Sequence, residues 1–260
     1  VNTEKPLMRL QSITRFSLLA VAIFTLFSCN KKEEYNTDKL SEYIILTPGK
    51  YITYRIDSMV FTNFGRSTEI HKYQVKHVID AQVTDNLGRP SYRVFVYIRD
   101  TAGLQPWQPA GNTYFITPLA DQMELIENNL RFIKLHAPVK DAFTWKGNKY
   151  LPAEPYGQLY SFNNDNDMED WDFYYDGNTS SFSYRGLNYE NVLTVEEANE
   201  TFNVPIMPLD AYAYRSRAVE KYAKNIGLVY REYELWDYQT NMPPPYKTGF
   251  GITMWMIDHN

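Results

Sequence analysis

This sequence predicts a mainly β protein: a single curled antiparallel sheet or partial barrel, with long loops and at most short helices. Three observations carry that prediction. Long segments between Tyr51 and Arg99 alternate apolar and polar residues with a period of two, and turn residues separate them. No segment sustains the 3.6-residue period of a long amphipathic helix. The chain has 22 Tyr, 14 Phe and 5 Trp for a core, and its single Cys leaves no pair for a disulfide, so packing must hold the fold.

The elements follow in order. In Tyr51–Phe61, Ile52, Tyr54, Ile56 and Val60 share one face, and Thr53, Arg55 and Asp57 the other. In Tyr73–Val83, Tyr73, Val75, His77, Ile79, Ala81 and Val83 alternate with Gln74, Lys76, Asp80 and Gln82. Asp85–Gly88 reads as a turn, after which Tyr92, Val94, Val96 and Ile98 alternate with Arg93 and Arg99. Such strands keep one face wet. Gly103–Gly111, with Pro106 and Pro109, predicts a loop. Tyr114–Ile116, Met123–Ile126 and Leu130–Leu135 predict strands, the last two joined by a turn at Asn128–Asn129.

Ala137–Gly186 is rich in Pro, Gly, Asn and Asp, and its weak period predicts long loops crossing the mouth or edge of the sheet. Strands return at Ser181–Tyr184, Asn191–Val195, Ala211–Val219, Ile226–Tyr238 and Gly249–Asp258. Thr194-Val195-Glu196-Glu197 matches a capping box and predicts a short helix, as does Ala218–Ala223. With no long helix to cover their apolar face, the strands must close on themselves or pack on a second sheet. The expected domain covers residues 42–260.

The N-terminal region predicts export. Arg9 and Arg15 precede a thirteen-residue apolar run, Phe16–Ser28, too short to cross roughly 30 Å of hydrocarbon. A basic region, an apolar run and small residues before a cleavage point describe a signal peptide over residues 1–28. Val1–Leu7 contains Glu4 and Pro6, so the expected start is Met8. Leu26-Phe27-Ser28-Cys29 resembles the lipobox of bacterial lipoproteins, which implies that Cys29 is acylated and becomes the mature N-terminus. Acyl chains on Cys29 would anchor the protein stably, at about 0.8 kcal/mol per buried methylene. Residues 29–41 then form a lipidated, polar, flexible tether. Lys31-Lys32-Glu33-Glu34 resembles the export signal that sends Bacteroidota-type lipoproteins to the cell surface, which implies an outer-membrane location with the periplasmic face as the alternative.

Charge narrows the partners. The leader holds Glu4 against Lys5, Arg9 and Arg15, a net +2, so without it the chain's −5 becomes −7. An acidic surface argues against nucleic acid and against a polybasic membrane patch.

No catalytic motif stands out. None of His71, His77, His136 and His259 has a second His or a Cys two to four positions on, and His77 sits among apolar residues as a core histidine. No Gly-x-Ser-x-Gly elbow is present. Among 31 acidic residues nothing singles out a glycosidase pair. The expectation is therefore no catalytic residue, no cofactor and no metal. Asn163–Gly177 is the densest acidic stretch. Asp165, Asp167 and Glu169 fall at positions one, three and five of a calcium loop, but Asp170 stands where the turn needs Gly and Asp176 where Glu is usual. A solvated loop pinned by Trp171, Phe173, Tyr174 and Tyr175 is the expectation. The Trp171–Tyr175 and Trp236–Tyr246 clusters offer rings for stacking on sugars, though packing is the simpler use, and Pro243–Pro245 makes a stiff loop. Asp57-Ser58-Met59 and Asp100-Thr101-Ala102 resemble the O-glycosylation sequon of Bacteroidota.

Four further stretches resemble a family of uncharacterised Bacteroidota surface lipoproteins. They are Ile126–Leu135, Trp145–Asn148, Ile226–Glu232 and Gly251–Asn260. The family brings no activity with it. Gly227-Leu228-Val229-Tyr230-Arg231-Glu232 also resembles a late strand of the lipoprotein-carrier fold, a curled sheet with an apolar concave face. That resemblance implies an acyl chain held in the concave face. The expected function is a membrane-anchored envelope lipoprotein that binds a lipid, glycan or protein without catalysis. The carrier version is the first alternative and a hydrolase without a recognisable motif the second.

Overall fold

The computed structural model describes residues 37–162 and 167–260. Thr37–Asn260 forms one compact unit. Thirteen strands run through it in chain order: β1 (Tyr51–Thr62), β2 (Ser67–Thr84), β3 (Pro90–Asp100), β4 (Gln108–Pro118), β5 (Gln122–Glu127), β6 (Leu130–His136), β7 (Thr144–Lys146), β8 (Asp172–Tyr175), β9 (Ser180–Tyr184), β10 (Leu187–Phe202), β11 (Ala213–Ala223), β12 (Gly227–Gln239) and β13 (Tyr246–His259). All pairings are antiparallel, in the order β6-β5-β4-β3-β2-β1-β13-β12-β11-β10-β8-β7, with β9 against β10. The first and last long strands lie side by side, with Ile56 opposite Met254.

The sheet curls into a nearly closed barrel, as the period-two strands require. Its two edges meet. The Ile133 N–H of β6 donates to the Gly147 carbonyl at 2.7 Å, and the Trp145 indole N–H donates to the Ile133 carbonyl at 2.8 Å. The Tyr175 hydroxyl bonds both the N–H and the carbonyl of His136, at 3.0 and 2.6 Å. A curled sheet that joins its own edges leaves few unpaired backbone groups for edge-to-edge association.

Two expected helices are strands. Thr194–Glu197 lies in β10 and Ala218–Ala223 in β11, and the two pair from Val192↔Ala223 to Phe202↔Tyr214. Cross-strand bonds and burial of Val192, Leu193 and Val195 outweigh the local capping pattern. The tether expected to run through Ser41 already belongs to the folded unit from Thr37 on. Leu40 is buried, and Asp38 accepts bonds from Tyr43 and Lys224.

Ala137–Gly186 is more ordered than expected. It supplies β7, β8, β9 and the short helix Gly157–Tyr160. Leu151, Tyr156, Phe162 and Met168 enter the core, and Tyr160 stacks on Phe250 of β13 at 3.9 Å between ring centroids. Outside the barrel, Phe182 and Tyr184 of β9 cover Val219, Tyr230 and Trp255. The turn residues behave as read. Asn128 and Asn129 both take positive φ, and the Asp85 carboxylate accepts from the Leu87 and Arg89 N–H groups.

Candidate functional site

Parity along the strands decides which charges face inward. In β12, Val229, Arg231, Tyr233 and Leu235 share a face, and Val229 and Leu235 are fully buried in the core. In β11, Ala218, Glu220 and Tyr222 do the same. Arg231 and Glu220 therefore point into the barrel. Glu197 of β10 and Lys134 of β6 join them from other walls.

These groups bond one another. Lys134 Nζ lies 2.7 Å from Glu197 Oε1 and 3.7 Å from Glu220 Oε1. It also donates to the Tyr233 hydroxyl at 2.7 Å, which in turn donates to Glu220 at 2.7 Å. Arg231 Nε donates to Glu220 Oε1 at 2.7 Å, and the Tyr222 hydroxyl donates to Glu220 Oε2. Arg231 Nη1 stands 4.0 Å from Glu127 Oε2. Burial alone would raise the Glu220 carboxyl, but Lys134 and Arg231 outweigh it and hold the pKa at about 2. Glu197 has less compensation, and burial raises it to about 7. Two cations thus face three carboxylates, and the cluster is neutral whenever Glu197 carries its proton.

Next to this cluster lies a cavity of about 100 Å³ at the end of the barrel where β1 starts and β13 ends. Ile52, Ile79, Ile116, Leu125, Ile226 and Leu228 line its middle. The segment Tyr43–Leu46 crosses its mouth, tied down where the Asn225 N–H donates to the Glu42 carbonyl at 2.6 Å. At its inner end stand Tyr54, His77, Tyr114, Glu127 and Arg231. Arg231 lines the cavity, and its side chain is 14 % exposed. His77 Nδ1 and the Tyr114 hydroxyl share a bond of 2.9 Å, and the Tyr54 hydroxyl donates to the Leu228 carbonyl. Burial, helped by the charge of Arg231, lowers the His77 pKa to about 3, so its imidazole is neutral. The cavity is apolar with a hydrogen-bonding, charge-balanced floor. Chemically it suits a small uncharged apolar group.

A wider cleft of about 660 Å³ runs from Thr37–Ser41 to Pro118–Ala120 and Pro138. Thr37, the first described residue of the chain, lines it.

The residues named from sequence fall elsewhere. Cys29, Lys31, Lys32, Glu33, Glu34 and Asp165 lie outside the described residues. Asp167 and Asp176 are exposed, Glu169 is partly buried, and the described residues group no three metal-ligating side chains. Trp171, Phe173 and Tyr175 pack inward, whereas Tyr174 between them faces out, as alternation in β8 demands. Trp236 is buried. Ser58 sits half-buried inside β1, paired on both sides, and Thr101 lies exposed in the β3–β4 turn. His77 faces inward with a hydrogen-bond partner, as read, but it is half-buried at the cavity wall rather than packed in the core. Sequence reasoning missed Lys134, Glu197, Glu220 and Arg231. The available signal was a charge at a position whose parity matches buried apolar neighbours, as in Ala218-Val219-Glu220-Lys221-Tyr222.

No family model matches this chain. No curated protein matches it either. Among solved structures, it is similar to a protein from Bacteroides fragilis described as exported with a YmcC-like fold. The two share 9 % identity at a TM-score of 0.33, covering 84 % of this chain and 98 % of that one. It is also similar to a domain from Vibrio parahaemolyticus described under outer membrane lipoprotein sorting. There the identity is 13 % and the TM-score 0.19, covering 82 % of this chain and 85 % of that one. At these TM-scores neither likeness carries an argument about this chain.

Proposed function

We propose that this protein is a non-catalytic binding lipoprotein of the cell envelope, held to the outer membrane by acyl chains on Cys29, whose ligand site is the barrel cavity. The observation that carries the binding reading is the cavity itself, an apolar space walled by Ile52, Ile79, Ile116, Leu125, Ile226 and Leu228. The ligand part that enters is therefore neutral and apolar. A cavity of about 100 Å³ is somewhat smaller than the roughly 150 Å³ that accommodates benzene in an engineered core, so it fits the end of an acyl chain rather than a whole one. The Tyr43–Leu46 segment is the part that would move to admit more. The reading assigns no catalytic step, because Lys134, Glu197 and Glu220 are engaged with each other.

Native mass spectrometry of protein purified from membranes in mild detergent tests the site. The expected result is a co-purified lipid, lost in Ile116→Trp, which fills the cavity. Parinaric acid fluorescence should show the same loss in the variant. Wild-type protein that carries no lipid and does not bind the probe would overturn the reading. The anchor has its own test: a palmitate analogue should label wild type and not Cys29→Ala. The lysine- and glutamate-rich Lys31–Glu34 stretch supports display on the cell surface, and digestion of the domain by protease on intact cells is the expected result.

A further inference from the structure

We infer that the end of the barrel opposite the cavity is a docking surface for a partner protein, formed by the tips of three hairpins. This rests on the reading that Cys29 is the membrane anchor. The tips are residues 63–66 between β1 and β2, 203–212 between β10 and β11, and 240–245 between β12 and β13. They are neighbours in space. The Lys247 N–H donates to the Gly65 carbonyl at 2.8 Å, and the Tyr238 hydroxyl donates to the Leu209 carbonyl at 2.8 Å.

Hairpin tips are ordinarily the most polar part of a β protein. These are not. Phe64 is 88 % exposed, Met207 75 %, Leu209 72 % and Met242 60 %. Phe202 is exposed as well and stacks with Tyr212 and Tyr214, at 6.5 and 6.2 Å between ring centroids. The 20 tip residues hold two charges, Arg66 and Asp210, where the chain as a whole is 22 % charged. Exposed Met and aromatic side chains with little charge are the composition of an interface core.

The position of the chain's entry decides the occupant. Asp38 is held by Lys224 in the β11–β12 turn, at the opposite end from the tips. Seven residues, and so eight Cα-to-Cα steps, separate Cys29 from Thr37, and even fully extended these span at most about 28 Å. The twelve residues of β1, tilted as barrel strands are, already rise about 30 Å, and the tips project beyond them. The tips therefore cannot enter, end-on, the bilayer that holds Cys29. They face away from it, where a second protein meets them. That partner presents an apolar, weakly charged surface.

Photocrosslinking in the cells that export the protein tests this. A benzophenone amino acid is placed in turn at Phe64, Leu209 and Met242. The control position is Leu87, which is 68 % exposed but lies in the β2–β3 turn at the cavity end. The expected result is one adduct of the same mass from all three tips and none from Leu87. It should fall at least about tenfold when Met242→Asp is added to the Leu209 probe protein, with thermal unfolding unchanged. Adducts with lipid alone, adducts at twice the chain's mass, no adduct, or equal labelling from Leu87 would overturn it. Palmitate labelling of the same cells separates the two readings. An unacylated protein that keeps the shared tip adduct sinks the anchor and leaves the surface. An acylated protein whose tips label lipid sinks the surface and leaves the anchor.

Discussion

Gly147 follows β7, and a Cβ built there would lie 2.2 Å from Cδ2 of Phe173. Phe173 is fully buried and packs edge-on against Trp145, so its ring has no room to yield. Gly147→Ala should therefore lower the unfolding free energy by about 1–3 kcal/mol, as overpacking does; a chemical-denaturation midpoint equal to wild type would count against it. Two titrations also belong to this scale. Glu197 is raised from 4.5 to about 7 by burial, so the folded state holds its proton more tightly than the unfolded chain. Its contribution is complete below about pH 4.5 and is lost as pH rises through 7. His77 is lowered from 6.5 to about 3, chiefly by burial. Its contribution is present above pH 6.5 and is lost as pH falls toward 3. Urea midpoints across pH should show Glu197→Gln flattening the curve between pH 5 and 8, and His77→Phe flattening it between pH 6.5 and 4. Variants that keep the wild-type slopes would mean that other groups govern the profile.

Among the elements, β6 and the β7–β8 pair stand at the two ends of the strand order and close the barrel. Their seam depends on few bonds, and the Tyr175 hydroxyl makes two of them, to His136. Tyr175→Phe keeps the ring, which packs on Trp145 at 4.8 Å, and removes both bonds. The expected loss is about 1–2 kcal/mol. Amide exchange should quicken in β6 and β8 while β1 and β13, each paired on both sides, stay protected. Uniform acceleration across all strands would show that the seam does not open by itself. The same elements show where sequence reading worked. The period-two pattern located β1, β2 and β3, although Thr53 and Gln74, on the faces read as wet, are buried beside Tyr54 and Val75. It failed at Thr194–Glu197, where a helix-start pattern sits inside a strand whose pairing partner, β11, is more than twenty residues away.

On the scale of the molecule, the two ends of the barrel differ. One end holds the apolar cavity under Tyr43–Leu46, and the other displays Phe64, Met207, Leu209 and Met242. The β class, the hairpin turns at Asp85–Gly88 and Asn128–Asn129, and the inward-facing position of His77 were legible in the sequence. Those follow from local alternation and turn chemistry, which neighbouring residues settle among themselves. Only the tertiary structure decided that β6 meets β7, that Lys134, Glu197, Glu220 and Arg231 share one interior, and that a cavity remains beside them. Strand parity can say that a charge faces inward, but which charges meet depends on register and curl, and those are set by contacts between residues as far apart as Lys134 and Tyr233. The apolar tips were each present in the sequence as ordinary loop residues. They became one surface because antiparallel pairing brings alternate hairpins to the same end.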